Sequence, residues 1–187
     1  MGADVIPLAD CELADAIERG ALDDVTRALQ RGASFEPDPV DGVLPLHRAI
    51  IAQHVEIVSH LCASGADPSR ADDNGANALD LAATLDSVAV VAVLIAYGAP
   101  LNGRGDEGYT PLMSAAGRSF EIATLLVSMG ADLKALNDDG RTALQEALAL
   151  GDLATADLIL SVDDPEQISD AEDRPRHRRA RPASSSL

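Results

Sequence analysis

Four histidines, two cysteines and 31 carboxylates are the side chains of this 187-residue chain that could hold a metal, attack a carbonyl or relay a proton. Each task needs its groups at short, fixed separations. None of His47, His54, His60 and His177 has a cysteine or carboxylate at the separation found in zinc sites, and no paired-cysteine ligand set is present. Neither a nucleophile elbow nor a phosphate-binding loop occurs. Asn102-Gly103-Arg104-Gly105 is glycine-rich but reads as a connection between repeated units, not a nucleotide cradle. The chain is therefore expected to be no enzyme and to take no metal, cofactor or small-molecule substrate. Cys11 and Cys62 read as two free, buried thiols of a reducing cytoplasm.

The glycines carry a stronger pattern. Gly42, Gly75 and Gly108 stand 33 residues apart, and Gly140 follows 32 later. Each opens one phrase: Val43-Leu44-Pro45-Leu46-His47, Ala76-Asn77-Ala78-Leu79-Asp80, Tyr109-Thr110-Pro111-Leu112-Met113 and Arg141-Thr142-Ala143-Leu144-Gln145. A second phrase closes the unit at Gly65-Ala66-Asp67, Gly98-Ala99-Pro100 and Gly130-Ala131-Asp132. A period near 33 marks a stacked array of small units. Leu46, Ala49, Ile50, Ile57, Val58 and Leu61 recur at helical spacing, and no unit this small can bury such a face alone. Pro45 and Pro111 suit the first turn of a helix, where a missing N–H is harmless. Thr110 is placed to cap one such helix. Gly65, Gly98 and Gly130 fall where a second helix ends in a left-handed turn. Asp10, Glu12, Asp15 and Glu18 at one end, and Asp152 and Asp157 at the other, fit the polar outside of capping units. With no Trp and only two Phe and two Tyr, packing falls to Ala, Leu, Val and Ile.

These phrases resemble the ankyrin repeat. The second unit is the fullest copy, with Pro45-Leu46-His47-Arg48-Ala49, His54-Val55-Glu56-Ile57-Val58 and Gly65-Ala66-Asp67. The third is degenerate, with Asn77-Ala78 and Asp80 in place of the Thr-Pro and histidine. The fourth is one residue short between Ala116 and Glu121. The resemblance implies an all-α solenoid of about five helix-turn-helix repeats with short β-turn fingers. Its repeats run over about 8–40, 41–73, 74–106, 107–138 and 139–160, within a domain of 8–162. An N-terminal extension (1–7) and a disordered, polyampholytic tail (163–187) flank it. It also implies that His47 makes a structural hydrogen bond to backbone between repeats. Family members usually bind proteins in the groove of fingers and first helices. By position that surface comprises Asp41, Val43, Asp73, Asn74, Asp106, Glu107, Tyr109, Asp138 and Arg141 on fingers. Ile51, Leu85 and Arg118 lie on inner helices. Tyr109 is read as an aromatic on a solvent-facing finger and, with Asp106 and Glu107, is the first candidate.

Charge supplies the partner's expected chemistry. Residues 1–162 hold 25 acidic and 9 basic side chains, whereas 163–187 hold 6 and 5. Such a body repels nucleic acid and anionic membrane and speeds encounter with basic proteins. The expectation is a monomeric, cytoplasmic module that grips a basic protein through an acidic, partly apolar concave face. An immunity- or antitoxin-type inhibitor of a toxin or nuclease is the alternative. A third reading gives the arginine-rich tail a contact with nucleic acid. No run of about 18 apolar residues suggests a membrane span.

Overall fold

In the computed structural model, residues 8–38, 40–73 and 75–163 are described. The expected extension over 1–7, the expected tail beyond Asp163 and the candidate Asn74 lie outside them. The described residues form ten α-helices in five antiparallel pairs, one short 3-10 turn and no strand. The pairs are α1 (Leu8–Glu18) with α2 (Leu22–Gln30), α3 (Pro45–Ile51) with α4 (Val55–Ala63), and α5 (Ala78–Thr84) with α6 (Val88–Ala96). After the turn at Asp106–Gly108 come α7 (Pro111–Ala115) with α8 (Phe120–Ser128), then α9 (Ala143–Leu150) with α10 (Leu153–Asp163). Along the array α1, α3, α5, α7 and α9 each pack on the next, as do α4, α6, α8 and α10.

Local chemistry sets these boundaries. Pro45 and Pro111 occupy the first turns of α3 and α7, and the Thr110 hydroxyl accepts from Met113 N–H at 3.4 Å. Asn77 does the same for α5, accepting from Asp80 N–H at 2.9 Å. The closing phrase builds a C-terminal cap: at the end of α4, Gly65 N–H bonds Cys62 O and Ala66 N–H bonds Leu61 O, with Gly65 at φ 109°. The missing residue of the fourth unit falls at the end of α7. Ala116 leaves the helix at ψ 131°, and Gly117 makes the turn at φ 72°.

One core runs the length of the stack through Leu13, Ile50, Leu61, Leu79, Leu94, Leu112, Leu126 and Ile159, all fully buried. His47 is buried in it with Nδ1 3.3 Å from Asp72 Oδ2, a carboxylate of the following finger. Burial holds the imidazole below its usual pKa, against the opposing pull of Asp72 and the Arg70 backbone. His54 sits at the start of α4 against Gly20, and His60 Nε2 lies 3.1 Å from Thr26 Oγ1. Each of the three serves a different contact between repeats. Among the described residues no group of three or more His, Cys, Asp or Glu is placed to hold a metal.

The structure departs from the sequence reading at three points. Cys11 is exposed, not buried, because it lies on the free face of α1; Cys62 is buried, and its thiol pKa is pushed up to about 11. α10 runs on past Leu160 to Asp163, since no breaker precedes Pro165. The described surface of the last repeat is also less polar than expected, although Asp157 is exposed. Asp152 turns inward, accepting from Gly117 N–H at 2.9 Å and Thr155 N–H at 3.1 Å. Leu148 and Leu160 are instead 52% and 50% exposed. By repeat register Leu148 matches Ile50, Ala83 and Ala116, all buried beneath a following unit. The fifth repeat thus keeps the stacking side chains of an interior repeat.

Candidate functional site

The finger turns are braced by their own carboxylates and by one another. Asp41 accepts from Val43 N–H at 2.9 Å and binds Arg48 at 2.6 Å; Arg48 reaches on to Glu18 at 2.8 Å. Asp73 N–H bonds Gly42 O at 3.3 Å, and Asp138 N–H bonds Glu107 O at 3.0 Å, so adjacent fingers are joined by backbone. Arg104 neutralises Asp138 at 2.7 Å. Asp41 and Asp138 are therefore committed to internal pairs. Asp106 and Glu107 hold no ion pair among the described residues, and both are exposed.

Those two carboxylates rim a groove of about 380 Å³ spanning the third to fifth repeats. Asp80 and Thr84 of α5, Tyr109, Met113 and Ser114, then Glu146 and Leu150 of α9 form its floor and walls, with Arg118 at its edge. Four expected residues meet here: Asp106, Glu107, Tyr109 and Arg118. Arg141 lies beside the wall, 3.8 Å from Glu146. Val43 does not join them; it lines a small pocket in the first two repeats with Asp10, Leu13 and Arg48. Ile51 is exposed on α3 and Leu85 is half-buried against the core, neither touching the groove. Asp73 stays on its own finger.

Tyr109 differs from the expectation. Its ring is half-buried against the hydrophobic core instead of standing free on the finger. Burial and the neighbouring Glu146 charge raise its pKa above the usual 10.0, so the phenol stays protonated at neutral pH. A tyrosine held this way offers a rigid wall, apolar in body and polar at its edge.

The residues that sequence reading passed over are Asp80 and Glu146. Both are buried carboxylates facing the groove. Glu146 is supported by Asn137 Nδ2, which donates to it at 3.1 Å. Asp80 accepts a short hydrogen bond from the Ser114 hydroxyl and has no cation beside it among the described residues. Its acid pKa is raised, first by burial and then by the Asp106 charge, with Ser114 opposing. The cause lies in the repeat pattern. Asp80 stands 33 residues after His47, and Gly105 stands 33 after Asp72. Where the second repeat sets histidine on the helix and aspartate on the finger, the third sets aspartate on the helix and nothing on the finger. A Cβ built on Gly105 would lie 2.1 Å from Asp80 Oδ2. The substitution of Asp for histidine in the opening phrase was the one signal available.

A carboxyl whose pKa is higher folded than unfolded contributes stability below its unfolded value of about 3.8 and loses it as pH rises through the folded value. At neutral pH the buried charge is therefore a net cost. In about 500 mM salt, which screens any cation in the groove, Asp80→Asn, whose amide oxygen can still accept from Ser114, is expected to stabilise the chain by about 1 kcal/mol at pH 7. Melting curves should show that gain shrinking towards pH 4. An unchanged or lower melting temperature at pH 7 would mean that Asp80 is compensated.

The family model described as ankyrin repeats (3 copies) matches residues 13–105 and 98–169. Among curated proteins, "Putative palmitoyltransferase ZDHHC13" of Danio rerio is 42% identical over 72 residues, 38% of this chain and 11% of that protein. "RelA-associated inhibitor" of Mus musculus is 32% identical over 89 residues, 48% of this chain and 11% of that protein. The chain thus spans about a tenth of the length of these relatives.

Proposed function

The chain belongs to the ankyrin-repeat family, and from that premise we propose a non-catalytic protein-binding module whose groove over the third to fifth repeats grips a basic segment of another protein. One observation carries this reading. The groove is faced by Asp80, Asp106, Glu107 and Glu146, with Arg118 alone of opposite sign, around the Tyr109 ring. A guanidinium or ammonium group entering there passes the exposed Asp106 and Glu107 and meets two buried carboxylates, Asp80 and Glu146, where an ion pair is worth more than at an open surface. Tyr109, Met113 and Leu150 supply apolar walls for the aliphatic stem of that side chain. No helix among the described residues is long and apolar enough to cross a membrane. A cytoplasmic, monomeric state is part of the proposal.

The test is a pull-down from native lysate with wild type and with Asp106→Lys/Glu107→Lys, at low and high salt. The expected result is a basic protein retained by wild type, and lost both in the variant and at high salt. A partner held equally by both chains would move the site away from this groove. An inhibitor is the second reading, favoured by the relative named as an inhibitor. If the captured protein is an enzyme, loss of its activity on adding this chain separates inhibitor from adaptor.

A further inference from the structure

The sequence outside the described residues contains a segment whose charge is opposite to that of this groove. Between Arg174 and Arg181 stand five arginines, at 174, 176, 178, 179 and 181, with no acid among them. They are more than a third of the 14 cationic side chains in the chain. We propose that this segment is an internal ligand of the groove, competing there with the basic partner. The inference rests on the cation-binding reading above and adds its regulation.

Three observations converge. The first is charge: four carboxylates face the groove, and the segment offers guanidinium groups at short intervals, the form best suited to bidentate pairing with carboxylate. The second is Asp80, a floor carboxylate with 9% of its surface exposed, bonded only to a neutral hydroxyl. Such a group lacks a counter-charge within the described chain, and an entering guanidinium supplies it. The third is reach. α10, described as far as Asp163, packs on α9, and α9 itself contributes Glu146 and Leu150 to the groove. The residues from Asp163 to Arg174 can extend about 36 Å at 3.3 Å each. That is about three helix diameters of about 10–12 Å each.

A tethered competitor acts through its effective concentration. At about 1 mM, against a site of Kd about 0.1 mM, it weakens an outside ligand roughly 10-fold. The occupied groove also keeps its carboxylates from weak basic partners, so only a ligand that outbids the tether binds.

The experiment uses the full chain and a fluorescent peptide of residues 174–181, read by anisotropy at about 50 mM and 500 mM salt. It compares wild type with a full-length variant in which all five arginines are Ser. The variant is expected to bind the peptide about 10-fold more tightly at low salt, and Asp80→Asn added to it to remove much of that binding. Equal affinities for wild type and the serine variant overturn the internal ligand, while leaving the groove's taste for cations standing. Absence of binding to either chain overturns both.

Discussion

Gly105→Asp is expected to destabilise the array by about 3 kcal/mol, and adding Asp80→His to return most of that loss. Gly105 sits at φ −90° and ψ −150°, so its backbone does not demand glycine. The obstacle is Asp80, whose Oδ2 would lie 2.1 Å from a new Cβ. A second carboxylate there adds overpacking, typically about 1–3 kcal/mol, to repulsion between two desolvated charges. The second repeat shows the compatible pair one period earlier: His47 on the helix, Asp72 on the finger, 3.3 Å apart. The two fingers share their bonding, with Asp72 N–H to Ala76 O at 3.0 Å and Gly105 N–H to Tyr109 O at 2.8 Å. The backbone can therefore accept the transplant. Chemical denaturation of both singles and the double should give a coupling of about 2 kcal/mol or more. Simple additivity would mean that the two sites do not exchange their carboxylate as the register implies.

Leu112→Ala is expected to cost about 3 kcal/mol, within the range for buried leucines. Leu112 is fully buried between repeats, and fixed helices surround it on both sides. Leu148→Ala, one repeat on and at a register position that is apolar throughout, is expected to cost under about 0.5 kcal/mol. The contrast is the point. Both are leucines on first helices, but Leu112 is covered on both sides, whereas Leu148, at the position of Ala116, has no following unit over it among the described residues. A large cost at Leu148 would show that its face is covered in solution.

The two cases mark what the residues disclosed in order and what they withheld. Pitch, phase and helix ends were legible because their demands are local: Gly65 answers a left-handed turn, Pro111 a first turn, Thr110 a bare N–H. The groove's rim was legible for the same reason, since Asp106, Glu107 and Tyr109 lie on one finger. Its floor was not. Asp80 looked like decay of a familiar phrase, and its meaning resides in Gly105, 25 residues away in sequence and in contact in space. Tyr109 was noticed for its rarity, but whether a finger side chain faces water depends on Glu146 of the next repeat and on Asn137. The apolar part of the array's end was missed because Asp152 carries the right charge yet turns to the Gly117 and Thr155 amides, while Asp157 stays exposed. Charge does not tell which way a side chain turns.

That apolar end has a thermodynamic consequence for binding. In a linear array each unit's stability is the sum of its own term and its contacts with neighbours, and the fifth repeat has one described neighbour where interior repeats have two. It should therefore open ahead of the interior repeats, and its amides should exchange ahead of those in α3 to α6. Yet α9 supplies Glu146 and Leu150 to the groove. A ligand that needs those walls closes the last repeat as it binds, and the folding of that unit and the occupancy of the groove become one linked equilibrium.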